Sequence, residues 1–119
     1  MKITGSEVID LRVPTSDQLL GSDPFHKEPD YSSAVLQLKT DTELQGVSVV
    51  FTVGAGTDWI CYGIQDLCQL VVDTELKDFA EAPFKLYQRL IDHHQLRWLH
   101  DGVFRMAAGA VLNAMWDLW

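Results

Sequence analysis

The sequence predicts an α+β fold, a three-stranded antiparallel meander followed by a small helical bundle. Three observations point there. Two-residue alternation is confined to the first half of the chain, three-and-four spacing of apolar residues is confined to the second half, and a glycine-bearing turn divides them. At 119 residues the chain has room for one domain, and a domain of that size buries roughly 60 to 70% of its unfolded surface.

Taking the elements in order, residues 2–13 alternate Val8, Asp10 and Arg12 with Ile9, Leu11 and Val13, which suits a strand with one buried face. Pro14 ends it. Residues 14–31 gather three prolines, a glycine and several charges without any period, the signature of a long loop. Residues 33–39 and 47–53 are β-rich runs joined by a turn carrying Asp41 and Gly46, so they should pair as a hairpin. After Gly54-Ala55-Gly56, Thr57 and Asp58 offer oxygens that can cap a helix over 58–72, whose stripe is Ile60, Ile64, Leu67, Cys68 and Val71.

Asp78 is placed to cap a second helix over about 79–92, with Phe84, Leu86, Tyr87, Leu90 and Ile91 for its buried face. A third runs from Val103 through Met106, Ala107, Ala110, Val111, Ala114 and Leu118. It has no glycine, asparagine or basic last turn to close it, and two tryptophans, Trp116 and Trp119, stand in its final four positions. This pattern implies a sequence cut short of its natural end, or one whose partner covers that end.

Composition narrows the function. The net charge of −8 comes without any basic cluster, which disfavours nucleic acid. No apolar run approaches the ~20 residues of a membrane span, and no signal-peptide pattern is visible; a cytoplasmic protein is expected. Cys61 and Cys68 on one helix would lie about 10 Å apart along its axis, too far for a disulfide, and read as reduced core thiols.

Other chemistry-bearing groups read as structural. His93-His94 has no third ligand at metal spacing and suits a solvated helix end. His26 reads as an exposed loop side chain. Thr15-Ser16-Asp17 has no histidine partner and no GxSxG occurs, so a hydrolase is disfavoured. Gly54-Ala55-Gly56 lacks the lysine or third glycine of a phosphate loop. Trp98 should be a buried indole, with Arg97 tied to backbone or carboxylate.

Three ordered motifs carry a resemblance: Glu28-Pro29-Asp30-Tyr31-Ser32-Ser33-Ala34, Phe51-Thr52-Val53-Gly54-Ala55-Gly56-Thr57, and Gln95-Leu96-Arg97-Trp98-Leu99 with the run from Ala110 to Trp119. Together they resemble the L-fuconate dehydratases of the mandelate racemase branch of the enolase superfamily, over essentially the whole chain from Val8. The resemblance implies an amino-terminal capping domain over residues 1–101, with 102–119 as the final helix leading toward a TIM barrel outside this sequence.

In that family the barrel abstracts the proton alpha to the substrate carboxylate, and three Asp/Glu ligands hold magnesium on the enediolate. The resemblance therefore implies a magnesium-dependent hydro-lyase, a sugar-acid substrate, the barrel as partner and a homo-oligomer when full length. It implies no catalytic residue and no metal ligand in this chain, which alone should be inactive.

The cap's family role is to close the barrel mouth and read the distal end of the sugar acid. Its substrate-contacting positions fall on Gly21, Ser22, Asp23 and Tyr31, residue types that suit a polyol. The sequence departs from its relatives at Ala55, where a basic residue is common, at residues 25–28, and at His100-Asp101. The alternatives are an orphan cap serving as a binding or assembly module, and the cap of another acid-sugar dehydratase or racemase.

Overall fold

In the computed structural model, residues 1–21, 24–25, 27, 29–98 and 101–119 are described. Strands β1 (Ile3–Leu11), β2 (Ser32–Thr40) and β3 (Gln45–Thr52) form an antiparallel sheet in the order β1-β2-β3, the expected meander. Helices α1 (Thr57–Cys68), α2 (Leu76–Glu81), α3 (Pro83–Ile91) and α4 (Asp101–Leu118) follow. Short 3-10 turns occupy Thr15–Gln18 and Leu96–Trp98.

One face of the sheet builds the core. Ala34, Leu36 and Leu38 of β2 are fully buried, and they meet Ile64, Leu67 and Cys68 of α1 with Ala107, Val111, Ala114 and Met115 of α4. The α1 stripe is as the spacing predicts. The small residues of α4 let it lie close to its neighbours, and Gly46 exploits this. A methyl on Gly46 would stand 2.2 Å from the Ala114 carbonyl oxygen. Ser48 Oγ donates to the Ala110 carbonyl at 2.8 Å, and the Val47 amide donates to Asp117 Oδ2 at 2.7 Å, so α4 is stitched along the end of β3.

The structure corrects several expectations. The apolar set Ile9 and Leu11 of β1, with Val13 just past it, is outward, 38, 49 and 41% exposed, while Val8 packs against the core. A register irregularity between Ile3 and Gly5 is the cause: it turns Ile3 inward while the later odd-numbered positions point to the open face.

The single helix expected over 79–92 is two. Pro83 lacks an amide and disfavours helical geometry at the residue before it, and Ala82 accordingly sits at φ −147°, ψ 59°. Asp78 therefore lies inside α2 rather than capping it, and Phe84 is 64% exposed. Met106 on α4 is also outside the core, with Phe104 in its place.

Neither Thr57 nor Asp58 caps α1. The cap position is Gly56 in the left-handed region, with no side-chain cap bond. Trp98 is 83% exposed, because the short turn at Leu96–Trp98 spends its inward position on Leu96. His93 is not a solvated terminus. Its ring stacks on His94, its Nδ1 accepts from the Leu96 amide at 3.3 Å, and its Nε2 lies 3.4 Å from Asp66 on α1.

Candidate functional site

Two loops meet at one end of the sheet, the connection from β1 to β2 and the turn from β3 to α1. Chain geometry brings them together. β2 begins where β3 ends, Ser32 pairing with Thr52, so the segment entering β2 runs beside the segment leaving β3. The Asp30 amide donates to the Val53 carbonyl at 3.2 Å, extending that pairing past the strands.

Asp30 ties the base of the first loop shut. Ser16 donates to Asp30 Oδ1 twice, from Oγ at 2.6 Å and from its amide at 3.1 Å. These bonds hold the Asp30 carboxyl below the usual carboxylate range, the Ser16 hydroxyl contributing most. Thr15 Oγ1 donates to the Pro29 carbonyl at 2.8 Å and accepts from the Tyr31 amide at 2.9 Å. Ser32 Oγ bridges the strand ends, accepting from the Val13 amide and donating to the Asp30 carbonyl. Both ends of the segment between Leu19 and Pro29 are thus fixed.

The second loop is locked to the first by shape and charge. Gly54 has φ 89° and packs on Asp30, where a methyl would come within 2.9 Å of the aspartate Cβ. Its carbonyl accepts from Arg12 Nη1 and from Thr57 Oγ1. Arg12 also grips Asp10 through two bonds, Nη2 donating to Oδ2 at 2.8 Å, which keeps the Asp10 carboxyl below its usual range. Asp58 stands 3.9 Å from the same guanidinium. Thr57, fully buried, shares a hydrogen bond with Thr52 at 2.7 Å, so the hydroxyl expected to cap a helix instead closes the turn.

Of the sequence-predicted substrate residues, Gly21 and Tyr31 come together. Gly21 adopts φ 91°, and a methyl there would lie 2.1 Å from the Tyr31 ring. Tyr31 is half-buried and its ring lies 5.5 Å from that of Phe51 on β3. Ser22 and Asp23, with His26, lie outside the described residues. Ala55 is exposed at the tip of the second turn.

The residues that hold the two loops, Arg12, Thr15, Ser16 and Asp30, escaped sequence reasoning. Arg12 reads as one of the polar positions of the first strand and Ser16 as a loop residue without a histidine partner; fourteen positions separate Ser16 from Asp30. Among the described residues, no three His, Cys, Asp or Glu side chains are grouped to hold a metal ion. No helix among them is long and apolar enough to cross a membrane.

Comparison with known proteins decides the lineage. Mitochondrial enolase superfamily member 1 of Homo sapiens is 38% identical over 122 aligned residues, spanning 99% of this chain. Its crystal structure superposes with a TM-score of 0.92 over the same 99%. The chain belongs to the enolase superfamily. The L-galactonate dehydratase of Hypocrea jecorina is 38% identical over 98% of the chain. At 18% identity, the L-talarate dehydratase of Polaromonas sp. JS666, solved with Mg and L-glucarate, shares the fold with a TM-score of 0.71 over 98% of the chain.

The meander and its helices are those of the enolase-superfamily capping domain. This chain spans 28% of the human relative's length and 26% of the Hypocrea enzyme's. No protein-family model matches it.

Proposed function

We propose that this chain is the cap of a magnesium-dependent acid-sugar dehydratase of the L-fuconate dehydratase type, with residues 1–101 as the cap and 102–119 leading into a barrel. The observation that carries this reading is the locked pair of loops, conjoined with 38% identity to an L-galactonate dehydratase over nearly the whole chain. A loop whose two ends are fixed has less conformational freedom to lose when it closes on a ligand.

In this reading Gly21, Ser22, Asp23 and Tyr31 meet the distal hydroxyls of the sugar acid, the aspartate accepting and the tyrosine donating or accepting. Gly21 keeps the loop against Tyr31, and Phe51 supports the ring from below. Magnesium, when bound, offsets the charge of the enediolate, and its ligands belong to the barrel. The Trp116 and Trp119 indoles, 47 and 68% exposed, supply apolar area for that partner. The enzyme works in the cytoplasm as a homo-oligomer.

L-fuconate and L-galactonate differ at the distal carbon, methyl in one and hydroxymethyl in the other. The test is steady-state kinetics on both acids with the cap joined to its barrel, alongside Asp23→Asn and Tyr31→Phe. The expected result is a raised KM, and a changed preference between the two acids, in the variants. Absence of turnover on either acid, or kinetics indifferent to both substitutions, sinks the reading. The 119-residue chain alone is expected to turn over neither acid.

A further inference from the structure

Three donors converge on one carbonyl oxygen, that of Gly54. Thr57 supplies two of them, its amide at 3.3 Å and its Oγ1 at 2.7 Å, and both belong to the turn itself. The third, Arg12 Nη1, arrives from just past β1, 42 positions away. It is the donor that joins this turn to another part of the sheet.

Arg12 is oriented for the contact. Its Nε and Nη2 donate to the two oxygens of Asp10, a fork that a planar guanidinium matches and an ammonium does not. With that edge taken up by Asp10, Nη1 is left to meet Gly54. The same cation also serves carboxylates from the other parts of the site. It stands 3.9 Å from Asp58 in the first turn of α1, and it helps lower the Asp30 carboxyl, after the larger effect of the Ser16 bonds.

From Gly54 the contacts run on into the first loop. Gly54 packs against Asp30, and Asp30 takes both Ser16 donors at that loop's base. Arg12 bonds only the second loop, yet the order of both depends on it. Global stability gains little from the arrangement, because the Arg12 and Asp58 side chains are 46 and 67% exposed and ion pairs so exposed contribute weakly to folding. Loop placement is what the guanidinium sets.

We propose that Arg12 is a positioning residue, whose guanidinium couples the β3–α1 turn to the β1–β2 loop so that both meet the distal end of a substrate as one preformed unit. Its effect on substrate rests on the acid-sugar reading, whereas the coupling of the two loops does not.

The experiment uses the cap joined to its barrel, with Arg12→Gln, which removes fork and charge, and Arg12→Lys, which keeps the charge alone. Kinetics on L-galactonate are read beside hydrogen exchange in the two loops. For Arg12→Gln the KM should rise about tenfold with kcat held within about twofold, since loops competent for only a fraction of the time weaken apparent affinity by that fraction. Amide exchange should speed about threefold or more in residues 15–20 and 53–57 together, with the melting temperature moved by no more than a few degrees. Arg12→Lys should recover part of both effects, because one ammonium cannot reproduce the fork to Asp10 and the bond to Gly54 at once.

Faster exchange in the second loop alone overturns the proposal, as does unchanged exchange in both. So does exchange speeded uniformly over the cap, the mark of a general stabiliser, or a fall in kcat with KM unchanged. A wild-type enzyme that turns over no acid sugar sinks the acid-sugar reading instead, and the exchange measurements then decide the coupling by themselves.

Discussion

Ser16 and Asp30 lie fourteen positions apart and meet through two hydrogen bonds to one carboxylate oxygen, the shorter at 2.6 Å. This contact closes the base of the loop that precedes β2. Ser16→Ala should leave the fold intact, lower the melting temperature by a few degrees, and speed amide exchange across residues 16–31 by about threefold or more. Hydrogen exchange with mass spectrometry reads this directly; unchanged protection in that loop would show the contact to be dispensable.

The same pair sets an acid limit. Asp30 titrates below its ordinary value of 3.8 in the folded chain, because Ser16 donates to its charged form, and Asp10 is held low by Arg12. A depressed folded pKa gives stability that is fully present above 3.8 and lost as the pH falls through the folded values. Loop protection, taken relative to the intrinsic pH-dependent exchange rate of each amide, should therefore be flat from neutral pH to about 5 and fall below 4, and Asp30→Asn should remove much of that fall. An equal fall in the variant would refute the assignment.

Gly54 and Gly56 both have positive φ, but a methyl on Gly54 meets Asp30 whereas one on Gly56 meets nothing within 4 Å. Gly54→Ala should cost about 1–3 kcal/mol, and Gly56→Ala about 1 kcal/mol. Urea unfolding of the two variants should rank them in that order; the reverse order would mean the loops are not in close contact.

Burial keeps the Cys68 thiol protonated, pushing its pKa up to about 11. At pH 8 roughly a thousandth is thiolate, so alkylation of the native protein should be at least about a hundredfold slower than in denaturant. A raised folded pKa stabilises below the unfolded value of 9.0 and is lost as pH rises toward the folded one. Stability should therefore decline above pH 9. Rapid labelling of native Cys68 would contradict its packing between α1 and the sheet.

Much of this architecture is legible in the residues alone, since period two and period 3.6 are properties of consecutive positions. The stripe from Ile60 to Val71 and the hairpin of β2 and β3 needed no tertiary knowledge. The break at Pro83 was local too, a missing amide that the apolar spacing on either side concealed. Gly21 and Tyr31 were marked by the motifs around them, and the structure brings these two together.

What the sequence by itself determined, then, is the α+β order and the superfamily resemblance, because both reside in local pattern and in ordered motifs. Only the tertiary structure decided that Ile3 turns inward while Ile9 and Leu11 turn out, since a register irregularity reverses a pleat whose alternation looks the same either way. It also decided that Arg12, Ser16, Asp30 and Gly54 form one latch. Those contacts join segments distant along the chain, and strand pairing, rather than any pattern of neighbours, sets their separation.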